Sequence, residues 1–319
     1  MRDARIELFR AMLMLGICLL HSVWFGIHSF HPLVFVLMPC VDGFVFISGY
    51  FGVRFSISKV VRLVGVGLFC AFVATMMAGG GAVECWKVFN GYWFLHAYLF
   101  MMCFAPIVNV AVENLQSRRM AFLVFWPLLA LVFGWGMATE LPILHRIIPC
   151  PSGIGSFSGV TLLGVYAIGR IFRKFEFEKV LSMRCLVGLA IVLLGIVNIG
   201  NGWFAHYCSP FAVLLAVVMF CLFHRMPEVR DGFFRKSVLL IGPSLFSVYL
   251  LHTHVKGFRF IRSVVRYMVD LGIRPLVACC LLAVSLFFVC ICIDVLRRLL
   301  LWGLACGFCV VCSNGSKKK

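Results

Sequence analysis

Apolar residues run through this chain in long blocks, broken by short polar or basic joints. Ten blocks have the length and character of membrane-crossing helices. They are Leu8–Ile27, Leu33–Gly52, Val60–Gly79, Tyr92–Val112, Met120–Thr139, Gly159–Phe172, Cys185–Gly202, Pro210–His224, Val238–Val255 and Pro275–Leu296. The sixth and eighth are short. A further apolar run, Leu299–Cys312, is short for a span and reads as an interfacial or re-entrant helix ahead of the polar tail Ser313–Lys319. No polar stretch is long enough for a separate soluble domain. The pattern predicts an all-α, polytopic integral membrane protein. Residues 1–319 form one transmembrane domain, with an interfacial helix and basic tail over 299–319.

Composition agrees. Hydrophobic residues make up 63% of the chain and charged residues 13%, with a mean hydropathy of +1.05. No soluble globular domain has this balance. The formal net charge of +17 is best read as a topology signal. With the N-terminus inside, 22 of the 29 basic residues fall in cytoplasmic segments. The other seven are Lys87, Arg146, Lys256, Arg259, Arg262, Arg266 and Arg274. Both termini are therefore expected in the cytoplasm, and nucleic-acid binding is a poor explanation of the charge. The first helix reads as retained, because its apolar run is long and no small-residue cleavage site follows. Most of the sixteen cysteines lie inside spans, where Cys behaves as a small hydrophobe. Cys85 and Cys150 fall in outer loops and can pair if the compartment is oxidising. Cys306, Cys309 and Cys312 have ligand-like spacing without an evident fourth ligand, so no metal is expected.

An ionisable group near the centre of a membrane helix costs roughly 2.5–3.5 kcal/mol by insertion scales, so such residues are kept for function or for packing. Arg10 and His21 lie eleven positions apart in the first helix. At 100° per residue they share one face, about 16 Å apart along the axis. Glu7, Met14 and Cys18 fall on the same stripe. Asp42 is as far from the inner end of the second span as His21 is from that of the first, roughly 18–20 Å above the cytoplasmic boundary. Antiparallel packing can set the two side by side, with Asp42 orienting His21 as a general base. Otherwise Asp42 bonds to a neighbouring helix and His21 is a structural histidine. Arg54, Lys59 and Arg62 cluster after the second span, either to converge on one anion or to anchor the topology. Lys256, Arg259, Arg262 and Arg266 fall within about a 120° helical arc on the outer side. An anionic acceptor explains them, as do an interfacial helix on anionic headgroups or a misread topology. Tyr92, Trp93, His96 and His252 lie near the outer interface and can flank an acceptor or serve packing.

Several of these segments together resemble the acyltransferase-3 family. They are Arg10 and His21 with their spacing, Val41–Gly52 (VDGFVFISGYFG), Lys59 and Arg62, Gly91–Asn109, Gly164–Lys174 and Ser244–His254. The resemblance runs in order over nearly the whole chain. It implies a ten-helix core in a bacterial inner membrane and acetyl-CoA or another acyl-CoA as cytoplasmic donor. The acceptor it implies is a hydroxyl of an extracytoplasmic or lipid-linked glycan. His21 matches the catalytic histidine, as base or acyl carrier, and Arg10 its companion. Lys59 and Arg62 match paired arginines, although Lys at the first position lacks the bidentate fork. Asp42 would orient His21. Arg54, Lys59 and Arg62 would hold the donor, while Tyr92, Trp93, His96, His252, Arg259, Arg262 and Arg266 would serve the acceptor. Partner proteins for glycan assembly are expected. A transporter or flippase for an anionic substrate would use the same stripe as an ion path, and a lipid-dependent glycosyltransferase would need more outer carboxylates than Glu84, Glu140 and Asp270.

Overall fold

A computed structural model describes residues 3–140, 157–229 and 231–316. Every element among them is helical. In chain order they are α1 (Ala4–Gly26), α2 (Pro32–Leu37), α3 (Pro39–Phe51), α4 (Ile57–Met77), α5 (Ala82–Asn90), α6 (Trp93–Glu113), α7 (Arg118–Leu129) and α8 (Gly136–Glu140). Then come α9 (Gly159–Lys174), α10 (Met183–Val197), α11 (Pro210–His224), α12 (Phe233–Ile241), α13 (Leu245–His252), α14 (Val255–Asp270) and α15 (Pro275–Ser316).

Each of the ten expected segments contains helix, but among the described residues seven are long and apolar enough to cross a membrane. The shortfall lies in α9, α10 and α11, of 16, 15 and 15 residues. At 1.5 Å per residue these span about 24 Å or less, against a hydrocarbon core of about 30 Å. Several segments also differ internally from the expected single helices, the fifth passing through a π-helical stretch at Ala130–Trp135. The second divides at Met38 and Pro39, where proline opens α3 at its first turn. The ninth bends through a 3-10 turn at Gly242–Ser244, which joins α12 to α13. The last helix runs on through Leu299, where a separate interfacial helix was expected. The expected partner of Cys85, Cys150, lies outside the described residues, as do Arg146 and the terminal lysines; Cys85 forms no disulfide among the described residues.

α1 is the central post. Asp3 caps it, its carboxylate accepting from the Arg5 N–H at 2.9 Å. The Arg5 guanidinium bonds the same carboxyl and holds it below its ordinary range. α1 packs against α3, α11, α12, α13, α14 and α15. Its crossing with α3 is close because a Cβ on Gly16 would meet Cys40 Sγ, and one on Gly43 would meet Leu13. The tightest crossing is α3 on α9. There Gly49 faces the Tyr166 carbonyl and Gly169 faces the backbone of Phe46 and Tyr50. Apolar surfaces gain nothing by leaving lipid for one another, so close backbone approach through small residues is what holds such helices.

Candidate active site

His21 and His252 form the polar centre of the molecule. α1 presents His21 five residues before its C-terminal end at Gly26, and α13 presents His252 at its last position. His21 Nδ1 and His252 Nε2 are 3.0 Å apart. His252 Nδ1 lies 2.6 Å from the Val248 carbonyl one turn earlier in α13. A carbonyl only accepts, so the network assigns the His252 proton to Nδ1. In the neutral ring Nε2 is then an acceptor, and His21 Nδ1 must donate to it. The same logic leaves the lone pair of His21 on Nε2. The pair therefore holds His21 in the tautomer a general base requires, with its basic nitrogen turned away from the orienting partner. Phe25 and Phe258 stack at a centroid distance of 4.0 Å and flank the His21 ring.

This corrects the expected partner of His21. Asp42 is fully buried in the first turn of α3, and neither of its carboxylate oxygens has a hydrogen-bond partner among the described residues. It lies within electrostatic reach of Cys40 and Tyr207. Matching depths fix height along two helices, not the direction in which a side chain points.

Arg10 keeps its place on the stripe. Its Nη1 bonds both Glu7 oxygens at 3.1 Å, and Glu7 is buried against Gly242 in the 3-10 turn. Arg10 lines a cavity of about 180 Å³ together with Met14, Ile17, Ser48, Tyr98 and Tyr249. Ser48 donates to the Phe44 carbonyl at 3.0 Å, so the Tyr98 hydroxyl, 3.2 Å away, donates to Ser48.

Arg54, Lys59 and Arg62 do converge. All three line a second cavity, of about 760 Å³, with Arg297 and Arg298 of α15. Leu63, Tyr98 and Phe246 line both cavities, so the basic chamber and the Arg10 chamber share walls. The loop that carries Arg54 is clamped at Val53. The Val53 N–H donates to the Tyr166 hydroxyl, which donates to Asn109 Oδ1, and Asn109 Nδ2 donates back to the Val53 carbonyl. Gly52 turns the chain there with φ of 79°.

The outer candidates are dispersed. Tyr92 is buried, and its hydroxyl has no hydrogen-bond partner among the described residues. Trp93 stacks on Tyr207, and the exposed His96 meets Phe89 edge-on. None of these three lines either cavity. Arg259, Arg262 and Arg266 lie exposed on α14, whose opposite face buries Ile261 and Val265. Arg262 Nε donates to the Phe25 carbonyl, which ties the basic face to the end of α1 that carries His21. Sequence reasoning missed Tyr98, Ser48, Arg297 and Arg298. Ser48 and Tyr98 stand inside segments it singled out, whereas the two arginines read only as topology charges.

Residues 3–294 match the model of an acyltransferase domain, that of the acyltransferase-3 family. The chain belongs to the acyltransferase-3 family. The match covers α1 through the first half of α15 and takes in both histidines, the Arg10 chamber and the first three basic residues of the larger chamber. No curated protein and no solved structure matches the chain. Family and apolar helices together make this acyltransferase-3 protein an integral membrane acyltransferase.

Proposed function

We propose that the protein transfers an acyl group, in the first instance acetyl, from cytoplasmic acyl-CoA to a hydroxyl of an extracytoplasmic or lipid-linked glycan. The single observation that carries this reading is the His21–His252 pair, which leaves a basic nitrogen poised on His21. The donor's phosphates occupy the chamber of Arg54, Lys59 and Arg62. Its flexible arm passes Tyr98 and Arg10 along α1. His21 Nε2 takes the proton of the acceptor hydroxyl as that oxygen attacks the thioester carbonyl. The carbon–sulfur bond then breaks, and the departing thiolate recovers the proton from His21. His252 stays neutral throughout and stabilises the transient imidazolium by accepting from Nδ1. Acceptor binding is assigned to the side of α14, where Arg259, Arg262 and Arg266 suit an acidic glycan or a lipid diphosphate. The charge asymmetry supports cytoplasmic termini, and a bacterial inner-membrane location is what the family resemblance implies.

Purified protein in nanodiscs with acetyl-labelled CoA tests the reading. Release of the CoA thiol, with label passing to a glycan or lipid-linked saccharide, is the expected result. A transporter would carry an anionic substrate with no thiol released, and that result would sink the proposal. Label retained on the protein in a form lost with His21→Ala would make His21 the acyl carrier.

A further inference from the structure

Arg297 and Arg298 lie beyond the last residue of the family match, yet both project into the basic chamber. What holds them there is a single carboxylate. Asp294 is fully buried one turn earlier in α15. Its Oδ1 accepts from Arg297 Nε at 2.9 Å, from Arg297 Nη2 at 2.7 Å and from Ser247 Oγ at 2.6 Å. Its Oδ2 lies 3.1 Å from Arg298 Nε. Arg298 Nη2 donates to Ser244 Oγ at 2.8 Å. One carboxylate thus orients two guanidinium groups and neutralises one of them. The chamber also receives Arg54, Lys59 and Arg62, and no acidic side chain lines it. Arg297 is held edge-on by Asp294, Arg298 is drawn to the same carboxylate and bonded to Ser244, and both guanidinium-bearing residues line the cavity, an arrangement suited to phosphate oxygens.

We propose that Arg297 and Arg298, positioned by Asp294, form the second wall of a phosphate-ester site whose first wall is Arg54, Lys59 and Arg62. The assignment of that ester to the nucleotide end of the acyl donor rests on the functional reading above. The site also adjoins the reaction centre. Ser247, which donates to Asp294, lies five residues before His252 in α13, so one short helix joins the phosphate site to the histidine pair.

The test uses the full-length protein in nanodiscs with CoA and adenosine 3′,5′-bisphosphate as probes, binding being measured at two salt concentrations. Arg297→Gln and Arg298→Gln should each weaken CoA and bisphosphate roughly tenfold or more. They should flatten the salt dependence of binding and raise KM for the donor more than they lower kcat. Arg297→Lys should recover only part of the loss, because Lys lacks the fork. Asp294→Asn should weaken both probes with Arg297 and Arg298 unchanged in sequence. If that buried variant does not fold, the arginine variants alone decide. CoA affinity equal to wild type in Arg297→Gln and Arg298→Gln overturns the proposal. Loss of co-purifying anionic phospholipid with CoA affinity unchanged also overturns the donor assignment and makes the ester a lipid headgroup. Tight binding of the bisphosphate by wild type, lost in both variants but with no acyl transfer under any condition, supports the site and counts against the transferase reading.

Discussion

At the residue scale, the decisive feature is a proton assignment. The Val248 carbonyl admits a proton only on His252 Nδ1, and that choice passes to His21 through a 3.0 Å contact. A histidine without such a partner divides its population between two tautomers and turns freely about its side-chain torsions. His252→Ala should therefore lower kcat by roughly 100-fold while leaving KM for the donor nearly unchanged. His252→Gln, whose amide oxygen can accept from His21 Nδ1, should recover part of that loss. Steady-state thiol release measured on both variants checks this. Equal loss in the two would point to packing against Tyr249 and Val248 instead. The stripe of Arg10 and His21 was legible from spacing alone, because helical geometry is rigid and costly residues in lipid are few. The partner of His21 was not. His252 looked like one outer histidine among several, and Asp42 looked better because a carboxylate is the commoner companion. Contacts between residues 231 positions apart depend on how helices rotate against one another, which depth arithmetic leaves open.

At the scale of elements, the site depends on breaks in helices as much as on helices. The 3-10 turn at Gly242–Ser244 lets Glu7 approach the backbone, brings Pro243 to the basic chamber and frees Ser244 to accept from Arg298. Irregular backbone at membrane depth is tolerated where protein covers it or a cavity receives it. That each apolar segment holds helix was legible, since long apolar runs leave little choice, whereas the number that cross was not: among the described residues seven are long enough. The internal breaks were not legible, because the proline and glycine that cause them also occur within intact helices here, as Pro106 does in α6. The α3–α9 crossing makes a separate prediction. Gly169 lies against the backbone of Phe46 and Tyr50, and backbone cannot move aside as a flexible side chain can. Gly169→Val should destabilise the protein by about 2 kcal/mol or more. The same substitution at Gly188, which has nothing within contact distance of an added Cβ, should be far milder. Thermal unfolding followed in detergent distinguishes them. Similar midpoints for the two variants would show that the crossing is not tightly packed.

At the scale of the whole molecule, α1 joins the smaller chamber and the histidine pair in one line. Its N-terminal half carries Arg10 beside the smaller chamber, which shares walls with the basic one. About 16 Å further along the axis it carries His21, where α14 closes over with its basic face outward. A donor with charged and uncharged ends fits that order, with phosphates in the basic chamber and the reacting carbonyl toward His21. Net charge concealed this arrangement in the sequence. Arg54, Lys59, Arg62, Arg297 and Arg298 all obey the positive-inside trend, so topology alone accounts for each of them. Convergence on one cavity becomes visible only when α4 and α15 are set side by side. The division of labour along α1 separates binding from chemistry, and one comparison tests it most directly. Wild type and His21→Ala are placed in nanodiscs, and CoA affinity and acetyl-CoA-dependent thiol release are measured on the same samples. The account predicts that His21→Ala binds CoA as wild type does while release falls at least 1000-fold, toward background. Undiminished release from His21→Ala would contradict it.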